Sequence, residues 1–438
     1  MKIYRYLLVL VIALLLILVC FASCGEEKGS QTIVTTDKIS DTVSLTTSGA
    51  EATTASAVTT STVTENKYVE LSINGVDISE YVIIYHRSPL SSRYNANKAL
   101  FSGQAYDFDR ICADRLSKYL YELTGVRLDV VSDSKAQSSE YEIVIGETQR
   151  EVSMDLRVAS LSPNEYKIGY SNGSIAINGG EYGVTWHSLD YLEAHINSLA
   201  DKNKKVDIKD DFLLEGTHEL ISIACVGDSI TYGVGVADVI NHSYPAVLQR
   251  LLWKDCVVYN YGNGGKTMRT DLYSIYGTSD SYMATNEYTS CLSKAGSHDI
   301  VIIMLGTNDS ERVLNNKNYH DGVWDEDDDL QFVNDGETLI ESLRKKNSDL
   351  TFLLMNCPSY FGTGGSGALC VREAQDMLYE KMVEAEYDIH FFDMHKYTEG
   401  SESLFPDKLH PNEGGYIFLA KGILKELKKL DKLANLNN

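Results

Sequence analysis

The sequence predicts an α/β chain: a C-terminal region built on a parallel sheet covered by helices on both faces, preceded by a small mixed α/β domain. Three observations carry this. From Ile221 onward, continuous apolar runs alternate five times with helical patterns. Such runs mark strands buried on both faces, and parallel strands need helical crossovers. Between residues 67 and 217, strand and helix patterns mix around one hairpin signal. Hydrophobic residues make up 43% of 438 positions, enough to bury a core in a chain long enough for two or three domains of roughly 150 residues.

Residues 1–24 read as a leader. Lys2 and Arg5 precede Leu7–Ala22, an unbroken apolar run of 16 residues. A permanent spanning helix needs about 20, so the run fits a secretory core better than an anchor. It ends in Phe21-Ala22-Ser23-Cys24-Gly25, which resembles a bacterial lipobox, with Phe21 where Leu is usual. That resemblance implies cleavage before Cys24, lipidation of its thiol and attachment to the outer side of a bacterial membrane. Residues 25–66 hold 18 Ser or Thr and no aromatic. They cannot bury enough apolar surface to offset their ordering entropy, and read as a flexible tether.

The net charge is −23, from 39 basic and 62 acidic residues. Nucleic-acid binding needs a basic footprint, so that partner class is disfavoured, as is broad attraction to anionic lipid. No CxxC pair is present, which leaves a zinc or redox centre without support. Cys225, Cys256 and Cys357 lie in or beside apolar runs and read as buried free thiols.

Within residues 67–217, strands are expected at Tyr68–Ile73, Tyr81–Tyr85, Arg127–Val131 and Glu142–Ile145. Asp107–Leu123 has helical spacing and Gly125 as its stop. Tyr166–Tyr170 and Ser174–Ile177 flank Asn172-Gly173, a hairpin signal, and Val184–Ile196 is helical. No catalytic constellation is evident here; the region reads as an accessory domain.

Within residues 218–438, strands are expected at Ile221–Val226, Val257–Asn260, Asp299–Leu305, Thr351–Asn356 and His390–Met394. Helices are expected at Tyr244–Trp253, Asp335–Lys346 and Asn412–Leu430. In such sheets, active residues collect beyond the carboxyl ends of the strands. Four polar segments stand there or just before the last helix: Gly227-Asp228-Ser229, Asn263-Gly264-Gly265-Lys266, Gly306-Thr307-Asn308-Asp309, and Asp407-Lys408-Leu409-His410-Pro411. Together they supply what acyl transfer requires. Ser229, at a strand–helix junction, is the candidate nucleophile. His410 is the candidate base, and Asp407, three residues earlier, its orienting carboxylate. The Ser229 and Gly265 N–H groups and the Asn308 amide are candidate oxyanion donors.

These four blocks, in this order, resemble the SGNH or GDSL hydrolases. The resemblance covers about half the chain. It implies a flavodoxin-like three-layer fold and a serine esterase mechanism, with no cofactor or metal. Val226–Gly233 and Met304–Asp309 look most like the carbohydrate O-acetylesterases, which implies an acylated carbohydrate or polysaccharide as substrate. A lipid esterase or lysophospholipase of the same fold, and a non-catalytic surface carbohydrate-binding lipoprotein, are the alternatives. His395, beside Asp393, is a rival base. Asp325–Asp329 reads as a solvated acidic loop near the rim; its spacing matches no EF-hand.

Overall fold

The sheet that positions the four blocks has five parallel strands in the order Cys256–Gly262, Ile221–Gly227, Ile300–Met304, Thr351–Met355, Ile389–Phe392. Numbered along the chain this is 2-1-3-4-5, the flavodoxin-like arrangement. The computed structural model describes residues 67–87, 107–200, 204–274, 276–315, 322–362 and 366–437. The leader, Cys24 and the Ser/Thr-rich segment therefore lie outside the described residues.

Alternation along the strands sorts the side chains into two cores. Ala224, Val226, Val301, Ile303, Phe352 and Leu354 face one side, where they meet Phe332, Leu339 and Leu343 of helix Glu326–Arg344 and Leu378 and Met382 of helix Ser366–Glu384. Ile223, Cys225, Ile300, Ile302 and Leu353 face the other, against Val247 and Leu248 of helix Tyr244–Leu251 and Leu419 and Ile423 of helix Glu413–Leu427. Because both faces are buried, each strand reads as an unbroken apolar run. Truncating such a residue to Ala leaves a cavity and costs about 2–5 kcal/mol.

Strand Cys256–Gly262 is an edge of this sheet. Three of its outward backbone groups are taken by side chains: Gln249 donates to the Cys256 carbonyl (3.0 Å) and accepts from the Val258 N–H (2.7 Å), and Asn260 accepts from the Gly262 N–H (2.9 Å). Covered in this way, the edge offers little template for another strand.

The region before Ile221 holds a six-stranded mixed sheet and a three-stranded one. The expected hairpin is present: Glu165–Ser171 pairs antiparallel with Ser174–Gly179, with Asn172 and Gly173 both at positive φ (48° and 87°). Helices Phe108–Thr124 and Tyr182–Leu199 cover one face. Gly125 ends the first in a left-handed conformation (φ 75°). All described residues belong to one compact unit, Glu65–Asn438. Trp253, from the later region, packs in the core of the earlier one, 4.6 Å from the Phe108 ring and 5.6 Å from Trp186. The six described cysteines are free, and five are buried.

Three helices of nine residues or more exceed the sequence expectation: Asn286–Lys294, Thr307–Asn315 and Ser366–Glu384. Helix Glu326–Arg344 starts nine residues before the expected Asp335. Asp325–Asp329 is consequently not a solvated loop but the start of that helix. The Asp325 side chain accepts from the Asp327 and Asp328 N–H groups, and Asp328 reaches back to the Asp325 N–H (3.0 Å) in a capping box. Four acidic residues in a first turn favour the positive end of the helix dipole.

Candidate active site

Ser229 opens a short helix, Ser229–Tyr232, directly after strand Ile221–Gly227. Asp228 caps it, its carboxylate accepting from the Ile230 N–H at 2.9 Å. Ser229 is 8% exposed, so its hydroxyl reaches the rim from a packed setting. Asp228 is fully buried, and that burial pushes its carboxyl up to about 6.

His410 sits on the loop before helix Glu413–Leu427. Lys408 takes a left-handed conformation (φ 73°), which turns the chain back. Asp407 then accepts from the backbone N–H groups of Leu409 (3.0 Å) and His410 (2.6 Å) through one oxygen. Its other oxygen lies 2.7 Å from His410 Nδ1. Burial pushes the Asp407 carboxyl up, but these two amides and the ring outweigh it and hold the group below its ordinary value. An ionised carboxylate only accepts, so the Nδ1–H donates to it and Nε2 is left as the acceptor. That Nε2 lies 2.9 Å from Ser229 Oγ, across 181 positions of sequence.

One glycine makes room for this contact, and another borders it. Gly235 (φ 107°) passes under the His410 loop; a Cβ there would stand 2.5 Å from the Pro411 carbonyl oxygen and 3.2 Å from His410 Cβ. A Cβ on Gly264 would lie 3.9 Å from Ser229 Cβ, so the turn after strand Cys256–Gly262 borders the nucleophile. At Gly265 the requirement is of another kind. Its φ is +73°, but a Cβ would meet nothing nearer than Arg312 Nη2 at 3.8 Å. The glycine is needed there for its backbone conformation, not for space.

Asn308 begins the second residue of helix Thr307–Asn315. Its Nδ2 donates to the Lys266 carbonyl (3.0 Å) and, at longer range, to Asp228 Oδ2 (3.4 Å). The three strand-end blocks are thereby joined through one amide. Asp309 extends the joint. It is fully buried and accepts from the Met268 (3.0 Å) and Arg269 (2.9 Å) N–H groups. Burial pushes its carboxyl up to about 7, even against those two bonds. Asp335 accepts from the Thr270 N–H (2.7 Å), and Arg269 pairs with Asp271 and Asp328. The turn carrying Gly265 is thus held along its downstream side by carboxylates. Sequence reasoning missed Asp228, as a partner of Asn308, and Asp309 and Asp335, as holders of this turn. The first two stand next to the predicted Ser229 and Asn308, which was the available signal.

The structure brings Ser229, His410 and Asp407 together and sets the Gly264–Gly265 turn and Asn308 around them. It does not bring the rival His395 to the serine. His395 Nδ1 is buried with no hydrogen-bond partner among the described residues; its backbone N–H donates to Asn356 (2.8 Å), and burial pushes the ring below its ordinary value. Among the described residues no group of three or more His, Cys, Asp or Glu is disposed to hold a metal. Asp329, from the acidic run, accepts from the Trp324 indole at 2.8 Å.

A hydroxyl, an oriented imidazole and N–H donors at the strand ends of a flavodoxin-like sheet are the groups that serine acyl transfer requires. Residues 225–417 match the model of the GDSL-like lipase/acylhydrolase family. The chain is 25% identical over 229 residues to an acetylxylan esterase of Xylanibacter ruminicola, a match covering 48% of this chain and 44% of that protein. It thus spans less than half the length of that relative. Similar solved structures include a family two carbohydrate esterase from Clostridium thermocellum in complex with cellohexaose (22% identity, 50% of this chain, 67% of that one, TM-score 0.37). Another is an acetyl xylan esterase from Geobacillus stearothermophilus (19% identity, 47% and 94%, TM-score 0.34).

Proposed function

We propose that this protein is a serine esterase that removes acyl groups, acetyl above all, from carbohydrate. The observation that carries the reading is the relay Ser229 Oγ–His410 Nε2–His410 Nδ1–Asp407, at 2.9 and 2.7 Å. Ser229 Oγ attacks the ester carbonyl while His410 takes its proton. The Asp407 carboxylate steadies the imidazolium so formed. Negative charge developing on the carbonyl oxygen is met by the N–H groups of Ser229 and Gly265 and by the Asn308 amide. Asn308 keeps its 3.0 Å bond to Lys266 and yields the longer 3.4 Å one to Asp228. His410 returns the proton to the leaving sugar hydroxyl, and water then releases the acid by the same route.

The carbohydrate reading is supported by the acetylxylan esterase relative and by the wording of Val226–Gly233 and Met304–Asp309. Acetate release from acetylated xylan tests it, with p-nitrophenyl acetate against p-nitrophenyl palmitate as the comparison. The expected result is turnover of acetate esters that Ser229→Ala abolishes; preference for palmitate assigns the site to lipid instead. We further propose export and attachment through lipidated Cys24, supported by the apolar run and small residues before it. Labelled palmitate incorporated by the wild type and not by Cys24→Ser is the expected outcome.

A further inference from the structure

Next to the helical turn that Ser229 opens runs a groove whose lining holds none of Ser229, Gly265, Asn308, Asp407 and His410. It is a cleft of about 480 Å³ between helix Tyr244–Leu251 with its preceding turn and the edge strand Cys256–Gly262. That volume lies within the 300–1,000 Å³ typical of ligand sites. One end is lined by Tyr232, the last residue of the helical turn that Ser229 opens. There the edge strand abuts that turn closely: a Cβ on Gly262 would lie 2.2 Å from the Tyr232 N–H nitrogen. Glu287, also in the lining, accepts from Asn263 in the segment that leads to Gly265. The far end is lined by Glu181, which precedes helix Tyr182–Leu199 of the earlier region. The groove therefore starts at the nucleophile's own helical turn and finishes on the region whose role the sequence left open.

We propose that this groove seats the neutral sugar chain that carries the ester. The proposal rests on the carbohydrate reading above and deepens it from a sugar to a chain of sugars. Three features select the occupant. First, the lining holds two carboxylates, Glu181 and Glu287, and no Lys or Arg. In a chain of net charge −23 this repels phosphates and uronates and suits neutral hydroxyls, which donate well to carboxylates. Second, the lining is amphipathic: Tyr232 is 46% and Ile240 63% exposed, large apolar surfaces left open beside polar groups. A sugar ring presents C–H faces to such side chains and hydroxyls to their polar neighbours. Third, Gln249 and Asn260 already occupy outward backbone groups of the edge strand. A peptide adding itself as a further strand would have to displace them.

The full chain carrying Ser229→Ala, which cannot turn over, is titrated by calorimetry with unesterified xylohexaose, cellohexaose and mannohexaose and with the matching monosaccharides. At least one hexaose is expected to bind about tenfold or more tighter than its monosaccharide. Adding Ile240→Ser or Glu181→Gln is expected to weaken that binding about fivefold. In the Ser229 protein the same two substitutions are expected to lower kcat/KM on the acetylated hexaose by a similar factor and to leave p-nitrophenyl acetate within about twofold. Failure of every hexaose to bind overturns the groove, even where acetate release from acetylated monosaccharides upholds the esterase. Binding without acetate release from any carbohydrate upholds the groove and overturns the deacetylase. Equal losses on oligosaccharide and p-nitrophenyl acetate overturn the groove, as does an effect of Ile240→Ser confined to long-chain acyl esters.

Discussion

Asn308 donates its side-chain amide to the Lys266 carbonyl at 3.0 Å, so two of the strand ends that surround Ser229 are joined before any substrate arrives. A donor held in place by this bond has only its longer 3.4 Å contact with Asp228 to give up when charge develops on the ester oxygen, and donors of this kind contribute most in a dry, preorganised site. Asn308→Ala removes both the donor and the joint. The expected outcome is a loss of about 100- to 1,000-fold in kcat on p-nitrophenyl acetate, with KM changed far less. Steady-state kinetics on the folded variant checks it.

Asp309 completes the same joint by accepting from Met268 and Arg269, and it does so without solvent. Burial pushes its carboxyl from the usual range up to about 7. A group raised in the folded state binds more protons folded than unfolded. Its contribution to stability is therefore full below the unfolded value, near 3.8, and is lost as pH rises through about 7. Asp228, raised to about 6 by burial, acts in the same direction. Melting temperatures followed from pH 4 to 8 should fall with pH in the wild type, and fall less steeply in Asp309→Asn. An unchanged slope in the variant would show that this carboxyl does not titrate with folding.

The two candidate bases make opposite predictions. His410 is held between Asp407 and Ser229, whereas His395 meets neither in this way. His395→Ala should keep kcat within about threefold. Asp407→Asn should keep the loop, since the amide oxygen still accepts from Leu409 and His410, but lose the tautomer that leaves Nε2 free. A loss on the order of 1,000-fold or more is expected on the precedent of serine proteases. Rates measured side by side decide; the reverse pattern would move the base to His395.

How much of this was legible in the sequence follows from which interactions are local. The five strands were readable because both faces of the sheet are buried, and the hairpin because Asn172-Gly173 tolerates two positive φ values. Ser229, His410 and Asn308 were readable because each sits at a strand end or before a helix. The acidic run misled because a row of Asp looks the same in a solvated loop and at a helix start; what decides is Asp325 capping Asp327 and Asp328, and Arg269 arriving from 59 positions away. Helix Ser366–Glu384 had its signal, with Val371, Ala374, Leu378 and Met382 all buried on one stripe, but it follows a Gly-rich stretch that reads as loop. What Asp309 and Asp335 hold was not legible: Asp309 accepts from two backbone N–H groups some 40 positions away, and Asp335 from the N–H and hydroxyl of Thr270, 65 positions away, besides Gln331 on its own helix.

Gly235 gives the sharpest test of how the His410 loop is seated. Its φ of 107° is open to glycine and strained for any other residue. Alanine there would also press its methyl against the Pro411 carbonyl at 2.5 Å and approach His410 Cβ at 3.2 Å. Neither contact can be relieved by rotating a flexible side chain, because the first is with backbone. The loop must therefore shift, and the 2.9 Å contact from His410 to Ser229 shifts with it. Gly235→Ala should cost about 1–3 kcal/mol of stability and, separately, lower kcat by a factor of ten or more, since even a 1 Å displacement of a reacting group can cost about 100-fold. Gly400→Ala is the control. It also has a positive φ, 73°, but a Cβ there meets nothing within 4 Å. It should lose a comparable fraction of stability through backbone strain and keep its kcat. If both variants lose activity together, strain alone explains Gly235 and the seating of the loop is not what fixes His410.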